Sequence, residues 1–140
     1  MEFNPNNKVI KLCIQGMDLE GKGKPEEASR VFIQAWNEAT NDFEKFTAAY
    51  YVARHQKSIS DKLNWDKTAL RHALNINDDS IKETLPSLYL NIGKCYEDLN
   101  DFENAKSNYR AAFSFSTYLP DNGYGNMIKA GVNRALDRIN

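Results

Sequence analysis

The densest group of chemically useful side chains lies between residues 50 and 56, with the sequence YYVARHQ. Tyr50 and Arg54 are four residues apart, so on a helix they share one face, and Tyr51 and His55 share the adjacent face. A guanidinium beside a phenol suits a carboxylate or a peptide chain, because both groups donate hydrogen bonds and offer flat contact surface. In the alternative interpretation, the tyrosines belong to the core and Arg54 pairs with a nearby acid at the surface.

The two histidines, His55 and His72, are the first candidates for catalysis or metal binding. Neither lies at a metal-ligand interval from a cysteine or an acid, such as H-E-x-x-H. The sequence has no nucleophile-elbow, Walker or dinucleotide-binding motif, and GKGK at residues 21–24 lacks the strand that precedes a phosphate loop. We therefore expect no enzyme activity, no bound metal and no cofactor.

Charge and hydropathy narrow the possible partners. The 140 residues include 18 Lys and Arg against 19 Asp and Glu, a net charge of −1. No global field attracts nucleic acid or an anionic membrane, and no stretch approaches the roughly 18 apolar residues of a membrane span. The first residues lack the pattern of a signal peptide, so we expect a cytoplasmic protein. Cys13 and Cys95 lie on apolar helical stripes and are predicted to be buried thiols.

The elements that position these residues follow from an internal repeat. When 77 is added to the number of each of a set of residues in the first segment, the residue at the new position belongs to the same size class. The pairs are Leu12 with Tyr89, Gly16 with Gly93, Leu19 with Tyr96, Ala28 with Ala105, Phe32 with Tyr109, Ala35 with Ala112 and Trp36 with Phe113. Helical spacing within each segment, with Pro25 opening a second helix, predicts a helical hairpin. We expect Gly16 to face Ala28, and Gly93 to face Ala105, which would allow close backbone approach.

The pattern resembles the tetratricopeptide repeat, a helix-turn-helix unit of about 34 residues. The later segment carries it most fully, as Tyr89, Ile92, Gly93, Tyr96, Ala105, Tyr109 and Ala112. The resemblance covers about residues 8 to 119 and is to a stand-alone, bacterial type of tetratricopeptide protein. It implies an all-α fold: a right-handed superhelical solenoid of about three hairpins and a C-terminal capping helix, seven helices in all.

The predicted architecture is a single domain over residues 1–140, with hairpins at about 8–40, 41–77 and 80–119 and a capping helix at 122–139. In the middle hairpin, Asn41 or Asp42 caps a helix that runs to Gln56, residues 58–62 form a connector, and a second helix spans 64–76. SIKE at residues 80–83 predicts that the fifth helix starts near residue 81, with Pro86 about one turn inside it. The capping helix has an apolar stripe made of Tyr124, Ile128, Val132, Ala135 and Ile139.

The resemblance also implies a function, because the first helix of each hairpin lines a concave groove in this family. On that geometry the partner-binding residues are Tyr50, Arg54, His55, Asn91 and Lys94. The partner is predicted to be a protein or peptide of unknown identity, with no nucleic acid and no membrane. The alternative is a structural or self-associating protein, a homodimer formed through the tyrosine-rich face or the end helix.

Overall fold

The computed structural model describes residues 4–139, and all regular structure within them is helical. Its elements are α1 (Lys8–Gly21), α2 (Pro25–Glu38), α3 (Asp42–Ala53), α4 (Ile59–Leu74), a 3₁₀ segment (Asp79–Glu83), α5 (Leu85–Asp98), α6 (Phe102–Phe115), a second 3₁₀ segment (Ser116–Tyr118) and α7 (Gly123–Ile139). The predicted all-α fold with seven α-helices is confirmed for this part of the chain. The chain divides into two compact units, one ending at Ile76 and the other beginning at Asn77.

The first unit consists of two hairpins, α1 with α2 and α3 with α4. Asn7 caps α1 by accepting a hydrogen bond of 3.1 Å from the backbone N–H of Ile10. The chain then turns at Gly23, whose φ of +74° lies in the left-handed region that glycine adopts without steric cost. Pro25 occupies the first position of α2, as predicted.

The middle hairpin begins where the sequence predicts but is more regular than expected. Asn41 caps α3, which ends at Ala53, three residues before the predicted end. The predicted connector over residues 58–62 is wrong, because α4 already begins at Ile59. The Ser58 hydroxyl accepts a hydrogen bond of 3.0 Å from the N–H of Asp61. A serine in this position satisfies a free N–H group of the first turn and so fixes the start of the helix.

The two glycines of the repeat occupy equivalent places. A Cβ built on Gly16 would lie 2.7 Å from Cδ1 of Phe32, and one built on Gly93 would lie 2.6 Å from Cδ1 of Tyr109. Both aromatic residues are completely buried. Since the same shift relates the glycines and the rings, the early and late hairpins are two copies of one packing arrangement.

The expected contact between glycine and alanine is secondary. The three atoms nearest to a Cβ on Gly16 all belong to the Phe32 ring, rather than to Ala28. At Gly93 the carbonyl oxygen of Ala105 also comes close, at 3.2 Å, but the Tyr109 ring is closer. An aromatic ring needs more room than a methyl group, so the missing side chain accommodates the ring.

The second unit begins with a correction to the sequence prediction. Helix α5 starts at Leu85, so Pro86 lies in its first turn and not one turn inside the helix. Proline is tolerated there because the first turn has no intrahelical use for its missing N–H. Residues 79–83 form a 3₁₀ segment instead of the start of α5. Asp101 caps α6, as predicted, by accepting a hydrogen bond from the N–H of Asn104.

Helix α7 packs against α6 and α5 within the second unit. Ile128 and Val132 are buried in a cluster with Ala112 of α6, as the predicted stripe requires. The placement of Tyr124 in that stripe is wrong, since this residue is 46% exposed. Gly125 is buried in its place, against the backbone of Pro120.

Both cysteines are buried thiols, as predicted. Cys13 packs in a cluster with Val9, Ala35 and Ala48 of the first unit. Burial raises the pKa of the Cys13 thiol to about 12, because the charged thiolate would lose its hydration. Both thiols therefore act as small apolar side chains.

Candidate partner-binding faces

In the first unit, the C-terminal end of α3 brings an arginine and two tyrosines together. The guanidinium carbon of Arg54 lies 5.0 Å from the centroid of the Tyr51 ring and 5.9 Å from that of Tyr50. The two rings meet edge to face at 5.3 Å. Burial raises the pKa of the Tyr51 hydroxyl to about 12. The four-residue spacing thus correctly predicts that Tyr50 and Arg54 lie on one face of the helix. The Tyr51 ring lies beside the same guanidinium.

Glu20, at the end of α1, holds both basic groups that follow α3. Its Oε1 accepts a hydrogen bond of 3.2 Å from Nη1 of Arg54, and its Oε2 lies 2.7 Å from Nε2 of His55. The His55 ring also stacks on Phe32 at 5.7 Å. The expectation that Arg54 pairs with a nearby acid is therefore correct. The side chain of Arg54 nevertheless remains 47% exposed.

His55 lies at the edge of this cluster and borders a shallow pocket of about 380 Å³. The pocket is lined by Pro25, Glu26, Ser29, Arg30, His55 and Lys57. His55 therefore connects the Arg54 cluster to the turn end of the hairpins. Its side chain is only 16% exposed.

In the second unit, Asn91 and Lys94 lie one turn apart on α5. The ammonium of Lys94 donates a hydrogen bond of 2.9 Å to Asp98, and its side chain is 56% exposed. Asn91 is half-buried. Spacing along α5 places these two residues on one face, as the sequence predicts.

Glu97 is the counterpart of Glu20 under the repeat shift. Arg138 of α7 donates two hydrogen bonds to it, of 2.8 Å from Nε and 2.9 Å from Nη2, and the Tyr109 hydroxyl donates a third of 2.7 Å. These donors, Arg138 first, lower the pKa of Glu97 to about 2. In each unit, therefore, an acid at the end of the hairpin's first helix binds a basic group at the C-terminal end of the helix that follows that hairpin, α3 in the first unit and α7 in the second.

Sequence reasoning did not identify Glu20 and Glu97 as the acids that hold these basic groups. The two acids are related by the repeat shift of 77 positions, which was visible in the sequence. Their basic partners lie on other helices, and residue spacing alone does not predict how those helices pack. Chemically, each acid fixes the orientation of an arginine that would otherwise sample many rotamers. A fixed guanidinium loses less entropy when a ligand binds.

The histidines are both held by carboxylates. His55 pairs with Glu20, and Nδ1 of His72 lies 2.8 Å from Oδ1 of Asp42. Within residues 4–139, no group of three or more His, Cys, Asp or Glu side chains is arranged to hold a metal ion. In the same residues, no helix combines the length and apolar character needed to cross a membrane.

Comparisons with known proteins support the helical-repeat fold. Residues 86–116, which include α6 and all but the first residue of α5, match the tetratricopeptide repeat family. The chain has a fold similar to PcrH from Pseudomonas aeruginosa, with a TM-score of 0.63, 15% identity, and coverage of 96% of this chain and 92% of that one. It is also similar to a chain of a T3SS complex from Aeromonas hydrophila, with a TM-score of 0.65, 13% identity, and coverage of 96% and 81%. No curated protein sequence matches the chain.

At these identities the solved structures establish the fold, and the family match identifies the repeat within it. The match falls on the hairpin that contains Gly93 and Tyr109, and the same packing recurs at Gly16 and Phe32. Residues 86–116 are therefore a tetratricopeptide repeat, and the hairpin of Gly16 and Phe32 repeats its packing.

Proposed function

We propose that the protein is a binding module for a partner protein or peptide, and that the partner presents carboxylate groups to two faces. In the first unit the binding residues are Tyr50, Arg54 and His55, and in the second unit they are Asn91 and Lys94. The helical-hairpin fold, whose members typically present extended surfaces to other proteins, supports this role.

The observation that carries the proposal is the set of contacts that the Arg54 guanidinium makes. Its guanidinium has five N–H donors, and within residues 4–139 its one hydrogen bond to another side chain runs to Glu20 at 3.2 Å. The rings of Tyr50 and Tyr51 lie beside it, so an incoming carboxylate would meet a positioned cation on an aromatic surface. Arginine and tyrosine are enriched among the residues that dominate protein interfaces.

The comparisons support a protein partner in general terms. One of the two similar folds was solved as part of a T3SS complex, so this arrangement of helices is used in assembly with other proteins. We expect the partner to be encountered in the cytoplasm, since both cysteines of the chain are buried thiols.

The test is affinity capture followed by titration of the purified partner. Wild-type protein is compared with the double variant Arg54→Ala, Lys94→Ala. A charged hydrogen bond contributes about 1.5–3 kcal/mol, so the loss of two should weaken binding at least ten-fold. The matched control is Lys24→Ala, Lys67→Ala, which removes two exposed charges that form no ion pair within the described residues.

Equal affinity of wild-type protein and the Arg54, Lys94 variant would refute the assigned residues. Thermal unfolding of each variant checks that the fold survives the loss of the Glu20 and Asp98 contacts. Light scattering at several concentrations tests the self-association alternative. A monomer that binds its partner supports the proposal, whereas a tight dimer that binds no partner supports the alternative.

A further inference from the structure

Helix α7 has two contrasting exposed faces. Gly131 lies against α5, because a Cβ on it would be 3.3 Å from Cδ2 of Leu90. Arg138, seven residues later and on the same face, bonds Glu97 of α5. These two contacts fix the side of α7 that is turned towards α5.

The row of residues on that side contains exposed apolar groups. Tyr124 is 46% exposed and Met127 is 59% exposed, the largest exposed fraction among the large hydrophobic residues described. Both precede Gly131 at helical spacing, three and four residues apart along the row. Arg134 continues the row after Gly131 and is also exposed.

A second exposed side of α7, about a third of a turn away, is polar. Asn126, Asn133 and Asp137 are exposed there. A helix that only terminates a stack needs a polar outer side, and this face supplies it. The apolar residues on the α5 side have no such explanation, and exposed apolar groups that cluster beside charged ones mark binding surfaces.

The charges beside this apolar row favour an acidic ligand. Arg134 forms no ion pair within the part of the chain that the structure describes, and Lys94 on α5 is 56% exposed. Arg138 is already neutralised by Glu97, and Asp98 is the acid nearest to Lys94. A ligand carboxylate would therefore find a free guanidinium next to the apolar row.

We propose that Tyr124, Met127 and Arg134 of α7 form a subsite for a partner segment in which an apolar side chain is flanked by carboxylates. The apolar side chain would cover Met127 and Tyr124, and a carboxylate would pair with Arg134. This inference rests on the proposed function, because it adds α7 to the face already assigned to Asn91 and Lys94. It gives α7 a role in recognition besides its role in covering α6.

The test uses three capped hexapeptides: one alternating Asp and Leu, one alternating Lys and Leu, and one alternating Asp and Ser. Binding to wild-type protein and to variants is measured by isothermal titration calorimetry at low salt. We expect only the Asp-Leu peptide to bind, and we expect Met127→Ser and Arg134→Gln each to weaken it at least five-fold. The matched control is Lys129→Gln, which removes the same charge from another side of α7 and should leave the affinity unchanged.

Several results would overturn the subsite. They are no binding of the Asp-Leu peptide at 1 mM, equal binding of the Lys-Leu or Asp-Ser peptide, or equal affinity of all three protein variants. If Arg54→Ala, Lys94→Ala weakens the natural partner but Met127→Ser and Arg134→Gln do not, the subsite is wrong and the proposed function stands. If sedimentation shows that Met127→Ser dissociates a dimer, the face is occupied by a second copy and the inference fails.

Discussion

A single methyl group added at Gly93 tests the packing that defines the repeat. The Cβ of an alanine at this position would lie 2.6 Å from two carbons of the Tyr109 ring and 3.2 Å from the carbonyl oxygen of Ala105. Tyr109 is completely buried, and its hydroxyl bonds Glu97 at 2.7 Å, so the ring cannot easily move away. Gly93→Ala should therefore destabilise the second unit.

The expected size follows from two opposing terms. Overpacking a core by one methyl group typically costs about 1–3 kcal/mol, and the fixed ring places this site towards the upper end. Alanine is better than glycine inside a helix by about 1 kcal/mol. The net loss is about 1–2 kcal/mol, or a fall in Tm of about 3–6 °C for a chain of this size.

The matched control is Gly21→Ala, at the end of α1, where a Cβ would meet nothing within 4 Å. That variant keeps the helix-propensity gain without the clash, so its free energy of unfolding should be unchanged or higher. Urea denaturation of both variants measures the difference. In a double-mutant cycle, Gly93→Ala should cost less in a Tyr109→Leu background than in the wild-type protein, with a favourable coupling of about 1 kcal/mol. A coupling near zero, or a Gly93→Ala protein as stable as the control, would refute the reasoning.

Three further changes test the acids, the thiols and a helix cap. The pKa of the Glu97 carboxyl is lowered to about 2, so its charged form stabilises the fold above about pH 4.3, and this stabilisation is lost as the pH falls towards 2. The urea midpoint of the wild-type protein should therefore fall over that interval, and the midpoint of Glu97→Gln should fall less. Parallel pH profiles of the two proteins would contradict this. Cys13 and Cys95 are buried, so a thiol reagent at pH 8 should label them slowly in the native protein and rapidly in urea, and fast native labelling would show the burial to be wrong. Ser58→Ala should cost about 1 kcal/mol in urea denaturation through the loss of the α4 cap, while Ser60→Ala, inside the same helix, should cost less, and equal losses would argue against the cap.

Local signals in the sequence were sufficient for most of the fold. Pro25 and Asp101 mark helix starts because their effects depend only on the backbone around them. The repeat shift identified both glycines because two hairpins that pack in the same way need residues of the same size at equivalent positions. Two local signals competed near Pro86, and the proline determined the helix start because its missing N–H leaves it only the first turn.

The candidate site was less accessible from sequence. Spacing of four residues placed Tyr50 beside Arg54, since that relation depends only on helix geometry. The hydrogen bonds from Arg54 and His55 to Glu20 join residues 34 and 35 positions apart, so they depend on how α1 and α3 pack. The exposure of Met127 likewise depends on how α7 is rotated about its axis, which Gly131 and Arg138 determine.

The two copies of the hairpin separate the requirements of folding from those of recognition. Residues that the copies share, such as the glycine and the buried ring, are the ones that the packing of two helices requires. Residues that differ between the copies carry no such common requirement: under the repeat shift, Asn91 stands where the first hairpin has Ile14, and Lys94 stands where it has Met17. Ile14 is 41% exposed and Lys94 is 56% exposed, whereas Asn91 is half-buried and Met17 packs against the Phe32 cluster, so in each pair one copy of the hairpin forms without burying that side chain. Because the hairpin forms with either set, the choice of side chain at these positions is free to follow the partner, and it is there that the specificity of this protein is expected to lie.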